Sequence, residues 1–387
     1  MHRRKLTRPE VSSNVLHKKR LSCSALALLI IALLLQACAA SSQGTASRSQ
    51  NNLHKQYASR HDAVEPQVLS PITPAMLQTA QTKLTILKSK IDQLKAPGKQ
   101  KDIYLQHYRA EQDALYRVSS SQDYIQVLIQ IDTNITEVES EAAQGNSYTL
   151  VATLQQEAQD WGDAHKWRDA YDQKDYQLDS GYLSLERGYG AVPYLYRRLA
   201  SVGSAAYPEV KDTLLHLAML EADFADPTPY NQVHATDKYL LTYYHLQNNL
   251  VFVVSMTEQA MRVYQNGQLI RSFLVTTGRY DRPSPPGLWS AGNHLTHVPF
   301  ISYDAPGSPD YYDPIMVNYA VQFRADGYFF HDSWWRKDYG PGTQFPHQDS
   351  GKNKDASVGS HGCVNLPTKE MTWVYQQARA GTKFIIY

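Results

Sequence analysis

Cysteine is scarce: 387 residues hold only Cys23, Cys38 and Cys363, too few for a disulfide framework. Neither sign of charge is in excess. Lys and Arg number 38 against 37 Asp and Glu, so there is no basic field for nucleic acid and no acidic solvating tail. Charged residues make up 19% and apolar residues 42%, which excludes a disordered chain and describes a globular one. No C-x-x-C or H-E-x-x-H spacing signals a metal site. Phe is sparse at 9, whereas Tyr reaches 27; an apolar ring with a polar tip suits surfaces and shallow clefts. The length predicts two domains plus a targeting segment.

The first segment is basic, with Arg3, Arg4, Lys5, Arg8, Lys18, Lys19 and Arg20 against Glu10 alone. Leu21 to Leu35 is then almost wholly apolar, which fits a secretory signal and is short for a membrane span. Leu35-Gln36-Ala37-Cys38 resembles a bacterial lipobox, departing from it at Gln36. The expectation is a signal peptide or membrane anchor over 1–37, lipid attachment at Cys38, and a Ser-, Gln- and Asn-rich tether over 38–70. An uncleaved anchor and plain secretion are the other readings; all three place the body outside the cytoplasm, and the tethered ones place it at the cell envelope. Cleavage and lipidation would leave Cys363 as the sole free thiol.

Residues 71–247 read as helical. Leu77, Ala80, Leu84, Leu87, Ile91 and Leu94 form a seam of alternating three- and four-residue steps, and Tyr124, Leu128, Ile131, Ile135, Val138 and Ala142 form another. These predict a small bundle or helical hairpin, with a later helix capped by Thr236. At 248 the texture changes to β-branched runs. Asn266-Gly267 between two such runs predicts a type I′ hairpin. Further strands are expected near 288–290, 315–323, 327–331 and 383–387, with one helix from Thr368 to Ala380 stopped by Gly381. The fold class is therefore α+β, multidomain: a helical domain over 71–247 and a mainly-β domain over 248–387. The helical part carries no catalytic constellation and reads as a spacer, a docking element or a cell-wall-binding module.

The sharpest chemical signal is Ser360-His361-Gly362-Cys363-Val364-Asn365. A thiol attacks as thiolate, and an imidazole or backbone N–H groups promote that form. Glycine beside it admits a substrate backbone and frees amides for an oxyanion. His331 ends the aromatic run Tyr328-Phe329-Phe330, where a strand can fix it as base to a loop nucleophile. His347, 16 residues before Cys363, is the rival base. A zinc site of His331, His347, His361 and Cys363 matches no familiar spacing and is disfavoured. His294 and His297 are taken as loop residues. Trp334 and Trp335 either floor a groove or pin the loop that follows, and Tyr311 and Tyr312 are candidates for a substrate-side flap.

Residues 248–387 resemble the YkuD-type L,D-transpeptidase catalytic domain. SHGCVN matches its hallmark, Val253 to Gly267 its first hairpin, and Thr276-Thr277-Gly278 with Pro283-Ser284-Pro285-Pro286-Gly287 its next segment. The 32-residue interval from His331 to Cys363 is longer than the family's usual spacing and reads as a surface lid or insertion. The resemblance implies Cys363 as nucleophile, His331 as base and His361 as an orienting residue at the oxyanion pocket. It also implies oxyanion donors at Gly362 and Cys363, a loop or substrate role for Ser360 and Asn365, and orientation of the base by Asp332, through carbonyl or side chain. It further implies peptidoglycan stem peptides as substrate, transpeptidation through a thioester, no metal or organic cofactor, and acylation by carbapenems. An L,D-carboxypeptidase would use the same residues. A non-catalytic cell-wall-binding lipoprotein is the alternative of another class.

Overall fold

The computed structural model describes residues 71–387 apart from 96–97, 185–187 and 309. The expected leader over 1–37, the expected tether over 38–70 and the expected lipid attachment at Cys38 lie outside the described residues.

The first helix, α1 (Pro74–Gln93), opens with Thr73 accepting from the Met76 N–H at 3.2 Å and with Pro74 in the first turn, where its missing N–H costs nothing. Its seam buries Ala80, Leu84, Leu87 and Ile91, while Leu77 stays exposed. After α2 (Gly98–Arg117) comes α3 (Ser121–Ala142), which is buried on nearly every side and packs against α1, α2 and a later helix, α6 (Tyr207–Ala225). Its polar positions are matched by charge: Lys83 bridges Asp132 and Glu221 at 2.7 Å each. Helices α4 (Ser147–Ala164), α5 (Ala191–Val202) and α7 (Ala235–Tyr243) complete this part.

Two details of the helical part differ from the sequence reading. A short hairpin, β1 (Lys166–Arg168) and β2 (Asp175–Gln177), interrupts the helices; three-residue strands leave no periodicity to read. Thr236 does not cap α7, which His234 precedes; its hydroxyl instead bonds Asp223 and Tyr387 at 3.2 and 3.0 Å.

The strand-rich part holds two facing sheets. One has the order β5-β4-β3-β11-β6, formed by β3 (Leu250–Ser255), β4 (Ala260–Gln265), β5 (Gln268–Leu274), β6 (Gly287–Ser290) and β11 (Lys383–Ile386). The other has the order β10-β9-β8-β7, formed by β7 (His294–Phe300), β8 (Ile315–Arg324), β9 (Tyr328–Asp332) and β10 (Val364–Leu366). The β4–β5 turn is the expected two-residue loop, with Asn266 and Gly267 at φ 52° and 70°. Phe330 of one sheet stacks on Phe384 of the other at 4.2 Å, and Phe384 on Phe252 at 5.1 Å. Full burial of each such ring contributes roughly 1.5–3 kcal/mol. Helix α8 (Thr368–Gln377) ends at Ala378, three residues earlier than Gly381, because residues 379–382 already turn, Thr382 N–H donating to the Arg379 carbonyl at 2.9 Å. One continuous apolar core runs from Ala80 in the helices to Tyr387 in the sheets.

His294 and His297 lie on β7, not in a loop. His294 Nε2 bonds the Ala378 carbonyl at 2.7 Å, a structural tie, while His297 is exposed at φ 46°.

Candidate active site

Strand alternation places the reactive groups. Phe330 points into the core, so Phe329 and His331 occupy the opposite face of β9. β10 runs parallel to β9 with Val364 opposite Phe330 and Asn365 opposite His331. Val364 is fully buried like Phe330, so Asn365 lies on the face of His331. Cys363 immediately precedes β10, two residues before Asn365, the register partner of His331 on β9.

The preceding segment grips both ends of the SHGCVN loop. Thr276 exchanges backbone bonds with Asn365 at 3.0 and 2.8 Å; Ser360 N–H donates to Thr277 O at 3.0 Å, and Arg279 N–H to Ser360 O at 2.9 Å. Ser284 Oγ donates to the Gly362 carbonyl at 2.9 Å. Gly362 sits at φ 108°, where a Cβ would lie 2.5 Å from the Tyr328 ring, so both backbone and space require glycine. These ties give the TTG and PSPPG segments their role, which the sequence displayed without explaining.

His331 is buried, with Phe300 edge-on at 5.0 Å and Trp335 stacked at 6.1 Å. Its Nδ1 donates to the Asp332 carbonyl at 2.9 Å, leaving Nε2 as acceptor. The open choice at Asp332 is therefore resolved in favour of the carbonyl. Its carboxylate is engaged elsewhere, accepting from Asn318 N and Tyr319 N at 2.8 and 2.9 Å and from Asn318 Nδ2 and Thr368 Oγ1 at 2.6 and 3.2 Å. Burial, only partly offset by Asp332, lowers the His331 pKa to about 4. Trp335 belongs to the base's surroundings, whereas Trp334 is exposed and bonds the Met316 carbonyl.

Cys363 Sγ accepts from Phe329 N–H at 3.4 Å. That bond and the Arg282 charge favour the thiolate, but burial outweighs them and pushes the thiol up to about 12. Both shifts favour the neutral forms, thiol for Cys363 and imidazole for His331. Alkylation of Cys363 by iodoacetamide should therefore rise about tenfold per pH unit between roughly pH 7 and 10. A rate flat down to roughly pH 5 would instead mean a preformed thiolate–imidazolium pair.

Ser360 serves as a loop brace. Its Oγ donates to the Cys363 carbonyl at 2.5 Å and accepts from Gly362 N–H at 3.0 Å. The Gly362 amide, expected as an oxyanion donor, is thus engaged by Ser360 at rest. An oxyanion must compete for it, which leaves the Cys363 amide as the better candidate. His361 Nε2 accepts from Arg279 Nη1 at 3.3 Å, so Nδ1 carries the proton. Burial, then Arg279 and Arg282, lower its pKa to about 4. Of the two flap tyrosines, Tyr312 lies over the His361 ring at 4.9 Å. Arg279, Arg282 and Asp310 beside it went unnoticed in the sequence, where isolated charges in a turn carry no signal.

The insertion after His331 is clamped. Arg336 donates to the Ala356 and Val358 carbonyls at 3.0 and 2.7 Å, and Phe345 stacks on Trp167 and Tyr176 of the β1–β2 hairpin. His347 sits inside it, its Nδ1 bonded to the Phe345 carbonyl at 2.8 Å. Among the described residues, the one carboxylate–histidine group with ligand-like spacing is Asp223, His234 and Glu258, which does not include the four residues weighed from the sequence.

The family model described as the YkuD L,D-transpeptidase catalytic domain matches residues 249–386. L,D-transpeptidase 2 of Mycobacterium tuberculosis (strain CDC 1551 / Oshkosh) is 24% identical over 143 residues, covering 36% of this chain and 31% of the relative. The chain thus spans about a third of the length of that curated relative. Among solved structures, the catalytic domain of the E. faecium L,D-transpeptidase is similar at 24% identity, covering 36% of this chain and 98% of that one, with a TM-score of 0.29. L,D-transpeptidase 3 from Mycobacterium tuberculosis, in complex with a faropenem-derived adduct, shows 21% identity over 35% of this chain and 59% of that one, with a TM-score of 0.27. Residues 249–386, with the cysteine loop and its strand-end histidine inside them, are a YkuD-type L,D-transpeptidase catalytic domain.

Proposed function

We propose that the chain is a peptidoglycan L,D-transpeptidase, tethered at the cell envelope, that works through a Cys363 thioester. The observation that carries this reading is the His331 Nδ1–Asp332 carbonyl bond, which leaves Nε2 as acceptor on a strand paired with the one that Cys363 leads into. Sγ attacks the carbonyl of the third residue of a tetrapeptide stem while its proton passes to His331 Nε2. The oxyanion is met by backbone N–H groups of the cysteine loop. The C–N bond then breaks, and the imidazolium returns the proton to the departing D-alanine amine. An amine of a second stem attacks the thioester, gives a proton to His331, and expels the thiolate, which takes that proton back. A base that is neutral at rest suits this cycle, since it must begin by accepting. No step calls for a metal or organic cofactor.

Purified disaccharide-tetrapeptide incubated with the chain, and with Cys363→Ala, is read by mass spectrometry. The expected result is D-alanine loss with dimer formation, absent in the variant. Loss without dimers would make water the acceptor and the enzyme an L,D-carboxypeptidase. No loss, with a carbapenem also failing to add to Cys363, would overturn the catalytic reading in favour of a wall-binding lipoprotein.

A further inference from the structure

The turn Arg279–Arg282 is fixed against the nucleophile loop. Arg282 N–H donates to the Arg279 carbonyl at 2.9 Å, and a Cβ on Gly278 would lie 2.4 Å from the Arg282 carbonyl. The next residue, Pro283, brings its carbonyl within 3.3 Å of the Cβ position of Gly362, and Ser284 then bonds the Gly362 carbonyl. Arg282 therefore stands beside Cys363 with little freedom in its backbone, and its field acts on Cys363, His361, Tyr312 and Tyr328.

The two arginines of this turn are committed differently. Arg279 is paired with Asp281 at 2.7 Å, with Asp310, and with His361 at 3.3 Å. Among the described residues, the carboxylates near Arg282 stand further off, Asp304 at 3.5 Å and Asp310 at 3.9 Å. What holds its guanidinium is Tyr189 from the helical part: the ring lies 4.4 Å beneath it, and the hydroxyl accepts from Nη2 at 2.8 Å. A second strut comes from the same loop, Ser184 Oγ donating to the Asp281 carbonyl at 3.0 Å. A stacked guanidinium with weak anionic partners is preorganised for an incoming carboxylate.

We propose that Arg282, held by Tyr189, is the subsite for the free carboxylate of the donor peptide's terminal residue. The inference rests on the acyl-transfer reading above. In that reaction the leaving residue's carboxylate is three bonds from the scissile carbonyl carbon, within about 4 Å of it. A cation beside the nucleophile is where that carboxylate falls. The helical part would then supply a positioning residue, Tyr189, to the cleft. The enzyme would accept donors ending at the leaving residue and discriminate against donors whose terminal charge is masked.

The test compares a tetrapeptide donor with its C-terminal amide, using the full chain, Arg282→Gln, Tyr189→Phe and Tyr189→Ala. Wild type should prefer the acid by about 10- to 100-fold in kcat/KM, the range of a charge-assisted contact. Arg282→Gln should bring that ratio close to one by raising KM for the acid alone. The ratio cancels any effect of the substitution on thiol reactivity. Tyr189→Phe keeps the stack and should retain most of the preference, which Tyr189→Ala loses. An acid-to-amide ratio unchanged in Arg282→Gln, or no preference in wild type, overturns the subsite. If wild type turns over neither donor, the acyl-transfer reading fails separately. The same two peptides are then compared by calorimetry on Cys363→Ala: tighter binding of the acid, lost with Arg282→Gln, supports the subsite, and equal binding sinks it.

Discussion

His331→Gln is expected to lower kcat/KM for thioester formation by about 10³-fold, within the 10²–10⁴ range of a general base, while His347→Ala stays near wild type. The direction follows from what each ring can do. Nδ1 of His331 is spent on the Asp332 carbonyl, so Nε2 must be the acceptor, and Phe300 and Trp335 restrict the ring. Glutamine keeps a polar side chain of similar reach but cannot take and return a proton. Because burial holds the His331 pKa at about 4, the base stays neutral through the physiological range, and the acid limb of the rate should appear only as pH falls toward about 4. A rate that falls instead below an ordinary histidine value, roughly pH 6.5, would point to a different, more exposed base. Steady-state release of D-alanine against pH, on wild type and both variants, checks all of this. Loss of turnover in His347→Ala with His331→Gln intact would reverse the assignment.

The cysteine loop is legible in the sequence because its chemistry is local: six consecutive residues carry thiol, imidazole and glycine. The β4–β5 turn was legible for the same reason, since Asn266 and Gly267 alone satisfy the positive φ of that turn. The α1 and α3 seams followed from period. What stayed hidden depends on residues far apart in the chain. Whether Asp332 orients His331 by carbonyl or carboxylate is decided by Asn318, Tyr319 and Thr368, which occupy the carboxylate. The segment holding His294 looks like loop in sequence because Thr296, His297 and Pro299 mask a strand whose pairing with β8 is what fixes it. The insertion after His331 looks mobile by composition, yet Arg336 and the aromatic stack on Trp167 hold it. The helical part carried no motif because its contribution is made through single residues such as Tyr189 and Phe345's partner Tyr176.

The largest stability effect is expected at Arg262: replacing it with alanine should cost about 3–5 kcal/mol, read from urea unfolding of the whole chain. Arg262 lies on β4 and is fully buried, surrounded by acids from both parts of the molecule. Its Nε bonds Asp237 of α7 at 2.5 Å, its Nη2 reaches Asp223 of α6 at 3.4 Å and the Tyr387 hydroxyl at 2.7 Å, and its Nη1 pairs with Glu258. Tyr264 and Ser255 add hydroxyls to Asp237 and Asp223 at 2.7 and 2.6 Å. Removing the guanidinium leaves carboxylates facing one another without solvent, the expensive half of a buried pair. The same cation explains why Asp223, His234 and Glu258, though spaced like ligands, make a poor metal site: a fixed positive charge already lies among them. The network also has a pH signature. Burial and Arg262 push His234 down, but Glu258 and Asp223 outweigh them and its pKa stands at about 10. A histidine raised in the folded state stabilises fully below its unfolded value of roughly 6.5 and loses that contribution as pH climbs toward about 10. The urea midpoint should therefore fall between roughly pH 7 and 10, and His234→Gln should flatten that slope. An Arg262→Ala chain within about 0.5 kcal/mol of wild type would mean that this buried ion network adds little to the joining of helices and sheets. If the larger loss is found, the helical part is a foundation for the strand-rich part: its acids neutralise the buried Arg262 while Tyr189 holds Arg282 beside the cysteine loop.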